Sequence, residues 1–211
     1  MGEYSRLPTV RHYLRAHHVA TTAVVAVLLT VLAVYLGSTA LPVPQLLQGR
    51  LAPLQLHLLL ATLFGPLVVR AFASAVLSLE QAARRSLLAL DAAIIVGIIV
   101  LPALVMGVAA ISSTTLVELA FLRNIAFFVG MTLLALSLAG RSTALALPIC
   151  YFIAAASLGG SADGQHYWWA IVRGPIAGAD AAVAVLLLTS GLATFQRRGR
   201  SLMVNALPSS S

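Results

Sequence analysis

Long runs of apolar residues, separated by short polar segments, dominate the sequence. A helix needs about 20 apolar residues to cross a bilayer, and six runs approach or exceed that length. The predicted spans cover residues 19–36, 54–77, 87–111, 116–138, 143–157 and 178–195. The first run is longer than the 7 to 15 apolar residues usual in a secretory signal. The pattern therefore predicts an all-α polytopic membrane protein with six transmembrane helices, forming a single domain over residues 1–200.

Proline and glycine residues predict where the spans bend or pack closely. Gly65-Pro66 should kink the second span, and Pro148 should interrupt the short fifth span, because proline lacks a backbone donor. Residues 42–53, with several prolines, predict a turn-rich connection. The pairs Ala103/Gly107 and Ala126/Gly130 have the small-residue spacing that permits close helix packing in a bilayer.

The chain begins with a polar, basic arm over residues 1–18. Leu7, Val10, Leu14 and His17 recur at spacings of three and four, the spacing of one helical face. This pattern predicts an amphipathic elbow helix on the membrane surface, and a disordered basic arm is the alternative. The Ser-rich tail, residues 201–211, is predicted to be disordered.

Two segments between spans have the character of surface elements. Residues 78–86 are polar and compatible with a short helix on the membrane face. Residues 159–177 form the least regular stretch, and Trp and Tyr concentrate at bilayer interfaces, so this stretch predicts a re-entrant or interfacial element. Its polar and aromatic residues include His166, Tyr167, Trp168, Trp169 and Arg173.

Composition excludes a soluble protein and narrows the chemistry. Only 9% of residues are charged and mean hydropathy is +0.99, against about 25% charged in soluble domains. All 13 basic residues are Arg. Without Lys the chain can form neither a P-loop nor a Schiff base, so any ATPase must be another chain. Arg in place of Lys, with abundant Ala, Leu and Val, indicates a GC-rich bacterial gene and hence the bacterial cell membrane.

The distribution of arginines predicts the orientation. Ten lie in the N-terminal arm, alternate loops and the tail: Arg6, Arg11, Arg15, Arg70, Arg84, Arg85, Arg141, Arg197, Arg198 and Arg200. The opposite loops contain only Arg50 and Arg173. Arg is enriched on the cytoplasmic side of membrane proteins, so both termini should be cytoplasmic.

Polar residues within spans are candidates for functional sites, because they are costly to bury in a membrane. Arg123, beside Asn124 in the fourth span, is the clearest, and it serves either as an inter-helix clamp or on a substrate path. Glu118 lies about 140° away round the helix and should not pair with it. Arg70 and Asp91 should pair or extend towards water at neighbouring span ends.

The sequence offers little support for catalysis. The five histidines do not converge into a zinc site, and the chain lacks HExxH and GxSxG motifs. Cys150, the only cysteine, is expected to be a buried thiol. We therefore expect no enzyme activity, no metal and no cofactor in this chain, and no nucleic-acid partner.

The layout of a basic elbow, six spans and a Trp-bearing element before the last span resembles the permease subunit of type-2 ABC transporters. Three short motifs are similar to those of small actinobacterial permeases: Leu122-Arg123-Asn124, Gly140-Arg141 before Leu147-Pro148, and Tyr167-Trp168-Trp169. The resemblance implies export of an amphipathic peptide, lipid or metabolite. It also implies a second permease subunit and a partner ATPase that binds ATP and Mg.

The resemblance also implies roles by position. Residues 78–85 would be the coupling helix that docks on the ATPase, and the turn at Arg141 would be a secondary contact. Residues 161–175 would close the outer end of the export path. The expected coupling residues are Glu80, Gln81, Arg84, Arg85 and Arg141.

A non-transporting scaffold or anchor subunit of a larger complex is the rival interpretation. It is favoured by the scarcity of polar residues within the spans, because a hydrophilic route would need more than Arg123 and a few marginal carboxylates. An intramembrane lipid-modifying enzyme is a third interpretation, weakened by the missing acidic or His constellation.

Overall fold

The computed structural model describes residues 18–36, 39–73, 88–112, 117–160, 166–174 and 178–205, and these residues are mostly helical. The helices are α1 (Val19–Leu36), α2 (Leu56–Thr62), α3 (Phe64–Ala73), α4 (Leu88–Ser112), α5 (Val117–Ala139), α6 (Arg141–Leu158) and α7 (Gly178–Asn205). The strands are β1 (Ala40–Gln45) and β2 (Arg50–Gln55), and a 3-10 turn covers Ile171–Arg173.

Five helices in the described part of the chain are long and apolar enough to cross a membrane: α1, α4, α5, α6 and α7. The shorter apolar segment Leu56–Phe72 contains α2 and α3. Large apolar side chains on the outer helix faces are exposed, including Leu28 at 61% and Leu186 at 65%. Such faces suit a lipid environment rather than water. The protein is therefore a membrane-embedded helical protein, as the sequence predicted.

The second predicted span is divided into α2 and α3, and the division falls at Leu63 rather than at the predicted kink. Pro66 cannot donate a backbone hydrogen bond to the carbonyl of Thr62, four residues earlier. The chain makes a tight turn, in which the Leu63 N–H donates to the Leu60 carbonyl at 3.2 Å. A new helix then begins at Phe64, so Pro66 lies in a first turn, where its missing donor costs least.

The connection before α2 is an antiparallel β-hairpin, which the sequence analysis predicted only as a turn-rich segment. Its register places Pro42 opposite Pro53 and Pro44 opposite Leu51. Two facing prolines have no N–H to exchange, so all three prolines occupy the non-hydrogen-bonded positions of the ladder. The four-residue turn 46–49 ends at Gly49 with φ +60°, a left-handed conformation that favours glycine.

Two further predictions about the helices were wrong. The fifth span is not interrupted, since α6 runs through Pro148 from Arg141 to Leu158. The last helix does not stop at residue 195, because α7 continues past the terminal arginines to Asn205. The start of the tail that was predicted to be disordered is therefore helical. An apolar run marks the part of a helix that lies in lipid and not the point where its hydrogen bonding ends.

Helix α5 is the centre of the bundle and packs against α2, α3, α6 and α7. Of the residues in its apolar window 61% are buried, against 11% in α7. Its closest crossing is with α7: a Cβ at Gly130 would lie 2.5 Å from the backbone of Leu187 and Leu188, and one at Gly191 would lie 2.6 Å from the Gly130 carbonyl. The predicted close packing at Gly130 is present, whereas Gly107 has nothing within 4 Å of its Cβ position.

Several hydroxyl groups in the helices bond within their own helix. Thr30, Thr62, Thr132 and Ser137 each donate to the carbonyl four residues earlier, at 2.7 to 3.0 Å. This back-bonding satisfies a hydroxyl in an apolar setting without a second helix. These four buried hydroxyl groups therefore do not mark a polar route between helices.

Some predictions fall outside the described residues. These are the elbow helix, apart from His18, the coupling segment with Glu80, Gln81, Arg84 and Arg85, and the last six residues of the tail.

We expect Gly130→Ala to destabilise the protein by about 1–3 kcal/mol, the usual cost of overpacking a core. Its new methyl would meet the α7 backbone, which cannot rotate away as a side chain could. Gly107→Ala is the matched control, because it makes the same change in a helix beside open space. Thermal unfolding of both variants in one mild detergent measures the difference, and equal midpoints would contradict the proposed close crossing.

Candidate functional site: the cap at the hairpin end of the bundle

A cap of non-helical chain lies across one end of the bundle, where the hairpin, the C-terminal end of α6 and the 3-10 turn meet. The Leu46 N–H donates to the Ser157 carbonyl at 3.1 Å, and the Tyr167 N–H donates to the Gly159 carbonyl at 3.1 Å. The Gln48 side chain donates to the Gly160 carbonyl at 2.6 Å. These bonds join the hairpin to a part of the chain that lies more than 100 residues later in the sequence.

Arg123 anchors the cap to the central helix. It lies six residues into α5, about 9 Å along the helix, and is 6% exposed. Its guanidinium donates to the carbonyls of Val172 at 3.2 Å and Gly174 at 3.1 Å, and its Nε donates to Asn124 at 3.2 Å. A planar guanidinium has five donors in a fixed fork. It can therefore hold a turn whose carbonyls are not used within a helix.

Asn124 reinforces this anchor and Asp180 balances its charge. The Asn124 amide donates to the Val172 carbonyl at 3.3 Å, so two α5 side chains bind one carbonyl. Asp180, in the first turn of α7, has its Oδ2 3.7 Å from Arg123 Nη1. A Cβ at Gly174 would lie 2.8 Å from the same carboxylate oxygen. Glycine at this position therefore allows the turn to pass close to the Asp180 carboxylate.

Arg173 binds in a different direction, to the C-terminal end of α6. Its Nη1 donates to the carbonyls of Ala155 at 3.3 Å and Ala156 at 2.9 Å. The last carbonyls of a helix lack intrahelical donors and attract a cation. With its amide oxygen towards Arg173, Gln45 of the hairpin accepts from the guanidinium at 3.1 and 3.2 Å. Arg173 thus joins the turn, the hairpin and α6.

Aromatic residues complete the cap. The Tyr151 hydroxyl of α6 donates to the Trp169 carbonyl at 2.8 Å. Tyr167 and Trp169 stack with ring centroids 6.3 Å apart and planes at 8°. Trp168 is 87% exposed, so its ring is available to the bilayer interface. The interfacial position of the paired tryptophans stays a prediction.

The pKa values of two basic residues in the cap are lowered by their surroundings. Burial lowers the pKa of the Arg173 guanidinium. Burial and the nearby positive charge of Arg173 lower the pKa of His166. His166 is exposed, so this effect on its imidazole is screened by solvent. The cap therefore carries its positive charge on arginine rather than on histidine.

Arg123 and Arg173 bind carbonyl groups of the protein itself, so their donors are directed at the cap. Among the described residues no group of three His, Cys, Asp or Glu side chains could hold a metal ion. Of the two roles predicted for Arg123, this geometry corresponds to the inter-helix clamp.

The structure brings some of the predicted polar residues together and separates others. Arg123, Asn124, Trp169 and Arg173 meet in the cap. At the opposite end of the bundle, Arg141 begins α6 with an exposed side chain after the tight turn at Gly140, which has φ +87°.

The remaining residues singled out in the sequence, three charged residues and a cysteine, lie outside the cap. Arg70 is exposed near the end of α3 and Asp91 is half-buried in the first turn of α4, and their pairing stays a prediction. The Glu118 side chain lies outside the described part of the chain. The lone Cys150 was predicted to be buried, but it is exposed on an outer face of α6.

Sequence reasoning missed three residues of the cap. Asp180 suits the dipole of its own helix by position, and nothing in the local sequence indicates an ion pair with a residue 57 positions earlier. Gln45 and Gln48 were regarded as turn residues. Two glutamines inside an apolar hairpin were the available signal, because amides seldom occupy such positions without partners.

Comparison of the chain with protein-family models, curated proteins and solved structures finds no match.

We expect Arg123→Met to lower the free energy of unfolding by about 3 kcal/mol, the typical cost of removing one partner of a buried polar pair. The methionine fills similar space but leaves the Gly174 carbonyl and Asp180 without their cationic partner. Hydrogen exchange of residues 166–174 should increase selectively. Arg197→Met, at an exposed position of α7, is the control, and matching exchange in both variants would contradict the anchoring role.

Proposed function

We propose that this chain is the membrane-spanning permease subunit of a type-2 ABC exporter, which moves an amphipathic peptide, lipid or metabolite with a separate ATPase chain. The observation that carries the proposal is the cap. A Trp-bearing, non-helical segment lies between the last two helices and is fastened to the central helix through Arg123. The resembling permeases have a re-entrant outer element in the same place in the chain.

The proposal includes six crossings with both termini in the bacterial cytoplasm. The sixth crossing is α2 and α3 together, since the 17 residues of the segment Leu56–Phe72 extend about 25 Å at 1.5 Å per residue. That length approaches the roughly 30 Å of a hydrocarbon core. Helix directions then alternate, and the cap lies outside with Arg50 and Arg173. The arginine-rich segments lie inside, as the positive-inside rule requires.

The export path of this permease lies between two subunits rather than within one. Arg123, Asn124 and the four buried hydroxyl groups of the helices all bond to groups of their own chain. An amphipathic cargo moves along the lipid-facing surface of a subunit and meets the second copy, or a homologous one, across the path. ATP and Mg bind to the partner ATPase, which docks on residues 78–86 and near Arg141.

A scaffold or anchor subunit is the competing function. The same bonding favours it, because a subunit with its buried polar groups occupied serves as well for anchoring as for transport. In a transporter, residues 78–86 would couple cargo to ATP hydrolysis by the partner chain. In a scaffold, the same residues would serve only assembly.

The proposed orientation predicts which side of the membrane each end of the bundle faces. In a Cys150→Ser background, Leu47→Cys at the exposed hairpin turn and Arg197→Cys at the exposed end of α7 report the two ends. A membrane-impermeant maleimide on intact cells should label Leu47→Cys, and should label Arg197→Cys only after permeabilisation. The reverse pattern would overturn the orientation.

Purification of the tagged full-length protein in mild detergent should recover a P-loop ATPase chain. The triple variant Glu80→Ala, Arg84→Ala, Arg85→Ala should keep that complex but lose stimulation of ATP hydrolysis by cargo lipids or peptides, because these polar side chains transmit the contact. Arg197→Ala is the control. Loss of the complex without an ATPase effect would favour the scaffold, and the absence of any ATPase would sink the transporter.

A further inference from the structure

One face of the β-hairpin is exposed, and it carries three cross-strand pairs of the register. We call it the outer face of the hairpin, and its residues are Ala40, Pro42, Pro44, Leu51, Pro53 and Gln55. Five of these six side chains are apolar, and Leu51 is 67% exposed. The face of an antiparallel sheet that meets water is usually polar. The outer face therefore indicates apolar surroundings.

The opposite face of the hairpin packs against the sides of two helices. Leu54 forms a buried cluster with Leu58 of α2 and Ala156 of α6, and Val43 and Phe152 pack against this cluster. Phe152 lies six residues before the end of α6, about 9 Å along the helix. The hairpin therefore flanks the last turns of α6, and its outer face points sideways, away from the bundle.

The last turns of α6 lie near the boundary of the hydrocarbon region. The 18 residues of α6 extend about 27 Å, close to the roughly 30 Å of a hydrocarbon core. Ile153, next to Phe152 in the chain, is 56% exposed on the surface of the bundle. The outer face of the hairpin thus continues the apolar surface of α6, at the level where hydrocarbon gives way to headgroups.

The free edges of the hairpin also suit this level. The sheet has two strands in the described part of the chain, so each strand has one unpaired edge. Residues at non-hydrogen-bonded positions turn their backbone groups towards these edges, and the outer face consists of such residues. An unpaired N–H is costly in apolar surroundings, and proline has none. Pro42, Pro44 and Pro53 thus remove three of the six N–H groups that the edges would present.

We propose that the outer face of the hairpin is a lipid-binding surface, which anchors this end of the bundle in the surrounding leaflet. Its partner is the boundary region of the bilayer, where acyl chains meet the glycerol ester groups. The turn 46–49 lies at the end of α6, since the Leu46 N–H bonds to the Ser157 carbonyl, and there it meets headgroups and water. The surface does not depend on the proposed transport function, because lipid surrounds a permease and a scaffold alike.

Spin-label accessibility tests this surface in the full-length protein, reconstituted into vesicles of phosphatidylcholine and phosphatidylglycerol. In a Cys150→Ser background, a nitroxide is attached to Leu51→Cys or Ala40→Cys on the outer face. Ile153→Cys is the reference in lipid, and Arg197→Cys is the reference in water. Oxygen concentrates in hydrocarbon, whereas a nickel chelate stays in water. Oxygen collisions should exceed nickel collisions at both hairpin labels, as at Ile153→Cys, and the order should be reversed at Arg197→Cys.

Two other results would overturn the proposal. More nickel than oxygen collisions at the hairpin labels would mean that the outer face lies in water. Low collision rates with both reagents would mean that protein covers the face, either a second copy of the chain or another subunit. Both results are independent of whether an ATPase co-purifies.

A charge on the outer face tests whether lipid holds the hairpin in place. Leu51→Asp should raise nickel collisions at the Ala40→Cys label, because a carboxylate is costly in apolar surroundings and draws this face towards water. Leu47→Asp is the matched control, since it makes the same change in the exposed turn, and it should leave the label unchanged. Equal nickel collisions in the two variants would contradict the anchoring role.

Discussion

Burial of Arg123 in the central helix of an apolar bundle is the interaction on which the hairpin end depends. A guanidinium keeps its charge in proteins, so its donors need acceptors wherever it is buried. Its backbone acceptors are the carbonyls of Val172 and Gly174. These carbonyls are available because the 3-10 turn is too short to use them in its own hydrogen bonds. The same 3-10 turn also binds α6, through the side chain of Arg173. Three consecutive residues, 172–174, thus hold the central helix on one side and α6 on the other.

The cap also explains the hairpin that precedes α2. Gln45 and Gln48 extend the network from Arg173 to the Gly160 carbonyl, and a Cβ at Gly160 would lie 2.5 Å from the Gln45 amide. A small two-stranded hairpin is marginal by itself, so its contacts with α6 stabilise it. The prolines, which weaken helices, are harmless in its non-hydrogen-bonded positions.

The rest of the bundle is held by close packing rather than by polar contacts. Gly130 and Gly191 let α5 and α7 approach at backbone distance, and dispersion between close surfaces is a main source of helix association in membranes. The bundle therefore has a firm centre around α5 and outer helices with mostly exposed faces. Such a division leaves the outer helix faces open to the surrounding lipid.

Residue types and their spacing were sufficient to predict the helical class, most helix positions and the close packing at Gly130. They failed at Leu63, where the second apolar run divides, at Pro148, which does not interrupt α6, and near Asn205, where α7 ends. Whether a proline breaks a helix depends on its position: Pro66 lies just after a break, whereas Pro148 is accommodated within α6. The division of the second apolar run and the hairpin pairing both depend on neighbours that the local pattern does not contain.

The sequence by itself determined that this chain lies in a membrane, because a composition with so few charges and such long apolar runs leaves no soluble alternative. It also indicated that Arg123 must find partners. Only the tertiary structure decided which partners these are, since Val172, Gly174 and Asp180 lie about 50 residues away and backbone carbonyls leave no trace in the residue types.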